Sequence, residues 1–174
     1  MSATRDRILD AFEALLIAHG PRAATLDAVA AAAGVSKGGL LYHFPSRAAL
    51  AEGQRNRLAE LGAADVASMR ASAEGAAEYY LRGSTESGSS LDRALVAAVR
   101  LSEESGQAAT VLDELRDAWS AALRDELGDP ELAHVVQLVG DGMYYNAVAG
   151  IADPTALADA RAVLARLRGR DTEG

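Results

Sequence analysis

The chain has 174 residues, enough for a proper core, with a formal net charge of −8, 24% charged and 49% apolar residues. This composition excludes a disordered chain, and the absence of cysteine excludes disulfides, thiolate metal sites and cysteine nucleophiles. Alanine and leucine supply much of the apolar count while strand-forming residues are scarce, which favours helix.

The N-terminal run MSATRDRILDAFEALL interrupts its apolar residues with Asp6, Asp10 and Glu13, so it reads as neither a signal nor a transit peptide, and a cytoplasmic protein is expected. A first helix is predicted from about Arg5 to His19. Ile8, Phe12, Leu15, Leu16 and His19 form its apolar face, with Thr4 as cap and Gly20-Pro21 as stop. Thr25 is a good cap for a second helix with Asp27 in its first turn, Leu26, Val29, Ala30 and Ala33 inside, and Gly34 to end it. Ser36 caps a third, Lys37 to about His43, and Pro45-Ser46 precedes a fourth that opens at Arg47.

The fourth helix carries Leu50, Leu58, Leu61, Val66 and Met69 on one stripe, with Gly53 and Gly62 as candidate bends. A short helix holding Tyr79, Tyr80 and Leu81 follows, then the loop RGSTESGSS at 82–90. Further helices are predicted at 91–104, 108–127, 131–151 and 155–168, separated by Gly106, Gly128-Asp129-Pro130 and Asp153-Pro154. No segment alternates with period two, so the fold class is all-α, with about nine helices. The weakly charged stretch 135–152 contains Gln137, Asp141 and Asn146 and falls short of a membrane span.

Charge is unevenly distributed. Residues 1–57 carry seven Arg or Lys against five acids, a balance of +2, whereas the remainder carries ten against twenty, or −10. This points to a polyanion-facing head on an acidic body. The acidic runs Glu103-Glu104 and Asp113-Glu114 with Asp117 read as solvated faces. Only His19, His43 and His134 are available as histidines, with no H-x-x-x-H, H-E-x-x-H, G-x-S-x-G or P-loop pattern, so neither an enzyme nor a metal or cofactor site is expected.

Around Gly34, the spacing A-x-x-x-G-V places a small residue, Ala30, and a positive-φ residue where two short helices cross. Val35 and Leu40 would anchor the third helix. That geometry alone also fits an alanine-rich hairpin within a bundle. The longer run GVSKGGLLYHFPSRAAL, Gly34 to Leu50, resembles the helix-turn-helix of the TetR family of bacterial transcriptional regulators, which commonly reads G-V-S-K-G-T-L-Y-Y-H-F-x-S-K-x-x-L. The resemblance covers about the first fifty residues.

That resemblance implies a helix-turn-helix DNA-binding domain at 1–46 and an effector-binding and dimerisation domain at 47–174. It implies that Ser36, Lys37, Gly38 and Gly39 lie near base edges in the major groove, while Thr25, Tyr42, His43 and Arg47 hold phosphates. Leu41, at a position where the family commonly has tyrosine, belongs to the same surface, and Phe44 to the core. With Gly39 standing in place of a threonine, discrimination shifts toward Lys37, backbone approach and DNA shape.

In the body, a largely apolar effector would meet Met69, Tyr79, Tyr80, Trp119, Met143, Tyr144, Tyr145 and Asn146. The last two helices would form a four-helix bundle with a twofold mate through Leu132, Val136, Val139, Leu157, Val163, Leu164 and Leu167, on a near-palindromic operator. The implied function is a ligand-responsive repressor acting as a homodimer. The alternatives are an activator of the same fold and a helical protein-binding module.

Overall fold

The computed structural model describes residues 3–102, 106–151 and 153–170, which places the Glu103-Glu104 run and residue 152 of the weakly charged stretch outside the described residues. Among the described residues there are nine helices and no strand: α1 (Ala3–His19), α2 (Leu26–Ala33), α3 (Lys37–His43), α4 (Arg47–Arg70), α5 (Ala76–Gly83), α6 (Ser90–Ser102), α7 (Gly106–Leu127), α8 (Pro130–Val148) and α9 (Ala156–Arg170). They form two compact units, Met1–Ala63 with Ser89–Leu115, and Ala64–Gly88 with Arg116–Gly174, so α4 and α7 contribute residues to both.

In the first unit, Ile8, Leu9, Phe12 and Leu16 of α1 meet Val29 and Ala30 of α2, Leu40 of α3, Phe44, Leu50 of α4 and Ala97 and Leu101 of α6 in one core. The register of α1 differs from the expected one. His19 is exposed, whereas Leu9 and Glu13 are buried, because the face covered by α6 turns the stripe toward positions 9, 13 and 16. Thr4 lies inside α1 and does not cap it. The short helices begin and end where their side-chain chemistry dictates. The Thr25 hydroxyl oxygen accepts from the Ala28 N–H at 3.2 Å, and Ser36 Oγ accepts from the Gly39 N–H at 3.0 Å. Gly34 ends α2 at φ 65°, a conformation glycine adopts without strain, and the Val35 N–H closes the turn onto the Ala30 carbonyl at 3.0 Å.

Gly53 and Gly62 neither bend nor break α4, which is one continuous helix. They are sites of close approach instead. A Cβ at Gly53 would stand 2.6 Å from Phe44 Cε1, and one at Gly62 2.7 Å from Leu115 Cδ1.

The second unit buries Met69, Ala77, Tyr80, Leu81, Leu123, Leu132, Val136, Met143 and Leu164, with Tyr79, Trp119, Leu157 and Leu167 packed at the rim. Asp129 caps α8 through the Leu132 N–H at 3.0 Å, with Pro130 in the first turn. The helix ends at Val148 rather than at residue 151, with Gly150 at φ 70° just beyond it. Gly106, expected as a separator, is the first residue of α7. α5 has no side-chain cap of its own. Its Ala77 N–H donates to Glu126 Oε2 of α7 at 2.6 Å, and a Cβ at Gly75 would collide with that carboxylate at 2.6 Å.

Candidate nucleic-acid interface and effector site

The α2–turn–α3 element holds its second helix by Leu40, which is fully buried, with Leu41 and Val35 packed against the same core. Leu41, one of the expected DNA contacts, is half-buried and packs against this core. What remains outside is Lys37, Gly38 and Tyr42, the last 84% exposed. Gly39 and His43 are half-buried, and the rings of Tyr42 and His43 meet edge to face with centroids 5.2 Å apart. Nothing lies within 4 Å of where a Cβ of Gly38 would stand, so this stretch of α3 offers bare backbone to a partner surface.

Thr25 and Ser36 are exposed, with their oxygens engaged in capping while their hydroxyl hydrogens remain orientable. Arg47, at the start of α4, donates from Nη2 to the Pro21 carbonyl at 2.7 Å and so ties the α1–α2 loop to α4. Lys37 Nζ lies 2.9 and 3.1 Å from the two carboxylate oxygens of Asp27 on α2. The face can donate hydrogen bonds from hydroxyl, phenol, ammonium and backbone groups, the set that phosphates and base edges accept.

Behind this surface lies a charged cluster that sequence reasoning missed. Glu13 of α1 is 0% exposed, and neither of its carboxylate oxygens has a hydrogen-bond partner. Arg57 of α4 stands 3.7 Å from it but 2.6 Å from Asp10, so its pairing favours the latter. Burial pushes the Glu13 carboxyl up to about 7, opposed by Arg57, reinforced by Asp10 and opposed more weakly by Arg93 of α6. The signal was present: Leu9, Glu13 and Leu16 share a face of α1, and a carboxylate on an apolar stripe marks either a partner or a perturbed group.

In the second unit, Tyr79 Oη and Trp119 Nε1 donate to the two oxygens of Asp65, at 2.9 and 2.8 Å. Tyr80 Oη donates to Asp141 at 2.6 Å, Arg116 pairs with the other Asp141 oxygen at 2.8 Å, and the Tyr80 and Trp119 ring centroids are 5.8 Å apart. Burial and the bond to Asp141 hold the Tyr80 phenol well above its ordinary pKa, and Tyr79 is raised by burial and Asp65. Tyr80 is seated against Gly140, where a Cβ would stand 2.4 Å from its ring. Four expected effector contacts, Met69, Tyr79, Tyr80 and Trp119, therefore make up a filled core with a hydrogen-bonded edge.

The open volume is elsewhere. A groove of about 630 Å³ runs along α8 and α9 and takes in Met143, Tyr145 and Asn146 of the expected effector set. Its walls also include Leu132, Val136, Val139, Val163, Leu164 and Leu167 of the expected dimer set, whereas Tyr144 and Leu157 do not line it. Leu132, Val136 and Leu164 are buried in the unit's own core while lining the floor of this groove. The outward apolar side chains are Val135, Leu138, Val139, Tyr145 and Val148 of α8 and Val163 of α9, with Val135 50% and Tyr145 69% exposed.

Among the described residues no helix is long and apolar enough to cross a membrane. No curated protein matches the chain in sequence. Among solved structures, a protein assigned as a TetR-family transcriptional regulator from Rhodococcus sp. is similar at a TM-score of 0.68 and 21% identity, covering 97% of this chain and 98% of the other. A protein assigned as a transcriptional regulator of Streptomyces coelicolor A3(2) gives 0.68 and 22% identity over 96% and 99%, and Salmonella enterica GusR gives 0.60 and 19% over 96% and 92%. These likenesses establish the fold. Residues 8–53 match the model of the bacterial regulatory proteins of the tetR family, and residues 69–171 match the tetracycline-repressor-like C-terminal domain. With its helix-turn-helix head and most of its body both accounted for, the chain belongs to the tetR family of bacterial regulatory proteins.

Proposed function

We propose that the protein is a ligand-responsive transcriptional repressor that binds a near-palindromic operator as a homodimer and leaves it when a small, largely apolar effector occupies the body. In this reading residues 1–46 bind DNA, residues 47–174 bind the effector and the second protomer, and the protein performs no catalysis and works in the cytoplasm. The observation that carries it is the outward face of α3, where Lys37, bare backbone at Gly38 and a protruding Tyr42 replace the apolar cover that a helix inside a bundle would have. Thr25, Ser36, Gly39, His43 and Arg47 border that face.

Pairing through α8 and α9 is supported by the exposed run Val135, Leu138, Val139, Tyr145 and Val148 with Val163, an apolar patch that a twofold mate would cover. Such a dimer presents two α3 helices to half-sites about one helical turn apart. The effector acts by binding more tightly to a conformation whose α3 spacing does not fit that repeat, so DNA affinity falls by the ratio of its affinities for the two states.

Selection of bound duplexes from a random pool tests this directly. Recovery of an enriched near-palindrome is expected, and the same site placed over a promoter should silence transcription in a purified system. Increased transcript would reassign the protein as an activator. Absence of retention on any duplex at moderate ionic strength would leave the helical protein-binding module as the surviving function.

A further inference from the structure

The α3 sequence KGGLLYH holds one lysine and no arginine. Gly38 and Gly39 contribute no side chain, Leu40 and Leu41 face the core, and Tyr42 is a neutral donor. Lys37 is thus the one lysine or arginine through which this helix can reach DNA, with His43 in its last turn, and the Lys37 ammonium is already paired with Asp27. The two side chains are 59% and 72% exposed, so the bridge is screened and can exchange partners. Asp27 sits in the first turn of α2, where the helix dipole favours a carboxylate, while Lys37 opens α3, where the dipole disfavours a cation. The bridge is anchored at the Asp27 end.

We infer that Asp27 is a specificity-determining residue, one that holds Lys37 as a partly neutralised donor and so penalises sequence-independent phosphate binding. An ammonium has three donors. It can keep one on Asp27 while offering others to base-edge acceptors such as guanine O6 and N7, which carry no formal charge. Against phosphate alone the balance differs, because attraction to Lys37 is offset by repulsion from the adjacent carboxylate. Asp27 thereby lowers random-site affinity more than operator affinity.

This inference rests on the DNA-binding reading, and the experiment separates the two. Equilibrium binding of D27N, D27E, K37A and D27N/K37A is measured on a random-sequence duplex and on the enriched duplex over a series of salt concentrations. D27N should bind the random duplex about 5- to 10-fold more tightly, with the slope of log K against log salt steeper by about one, and the operator-to-random ratio should fall. D27E, which keeps the carboxylate, should preserve the wild-type ratio. In the K37A background the D27N effect on the slope should vanish. An equal D27N effect with and without Lys37, or an unchanged ratio, would overturn the inference while leaving DNA binding intact. A wild-type protein without salt-dependent DNA retention, or without an enriched duplex, would overturn both.

Discussion

The buried carboxylate of Glu13 makes the stability of the first unit depend on pH in a direction opposite to that of an ordinary paired acid. Folding raises its pKa from 4.5 to about 7, so between those values the native state holds a proton that the unfolded chain has released. Stability from this group is full below about 4.5, falls as pH rises through the window, and is gone above about 7. Integrated from about pH 5 to about pH 8, the shift corresponds to a loss of about 2.5 kcal/mol. Glu13→Gln keeps the shape and removes the titration. Urea unfolding of both proteins across that range, at one protein concentration, should find the variant more stable throughout, by about 1 kcal/mol at the acid end and about 3 kcal/mol at the alkaline end. Subtraction cancels every other titrating group common to the pair. A constant difference would refute the reasoning, as would a wild type that gains on the variant with rising pH, since then Arg57 rather than burial governs the carboxylate.

Two further outcomes follow from glycines with opposite surroundings. Gly140→Ala should lower unfolding free energy by about 1–2 kcal/mol in denaturant titration, because displacement of the Tyr80 ring outweighs the roughly 1 kcal/mol gained in helix propensity; an unchanged midpoint would mean that the ring yields without loss. Gly38→Ala meets open space, so up to about 1 kcal/mol of propensity should appear as slower amide exchange at Gly39 to Tyr42, which in the free wild-type protein should exchange fast. Strong protection already present in the wild type would mean that the packing of Leu40, rather than helix propensity, governs the opening of α3.

The local chemistry of the short helices was legible in the sequence because it is local. Thr25, Gly34 and Ser36 act within three or four residues of themselves, so spacing alone places α2 and α3 correctly. What escaped depended on partners distant in the chain. Gly53 and Gly62 read as helix breakers until Phe44 and Leu115 are seen against them. The apolar content of α8 could not say that Leu132 and Val136 turn inward while Val135 and Leu138 face out, because α5 and α9 decide that. The aromatic residues expected around an effector divide between the groove, with Tyr145, and the packed core, with Tyr79, Tyr80 and Trp119. Their carboxylate acceptors, Asp65 and Asp141, had no signature, since an isolated aspartate in an acidic body resembles any solvated one.

The cap that α5 takes from Glu126 has a wider consequence. Eight residues are too few to persist as a helix in water, and this one carries at its start Gly75, which makes no side-chain bond to it. Its first turn is completed by a residue about fifty positions later, and Arg168 of α9 pairs with the same carboxylate. The helix is conditional on its neighbours, a segment whose secondary structure is a readout of tertiary assembly. Excised or grafted elsewhere it would be coil, and any event that draws Glu126 aside converts a change in packing into a change in local folding.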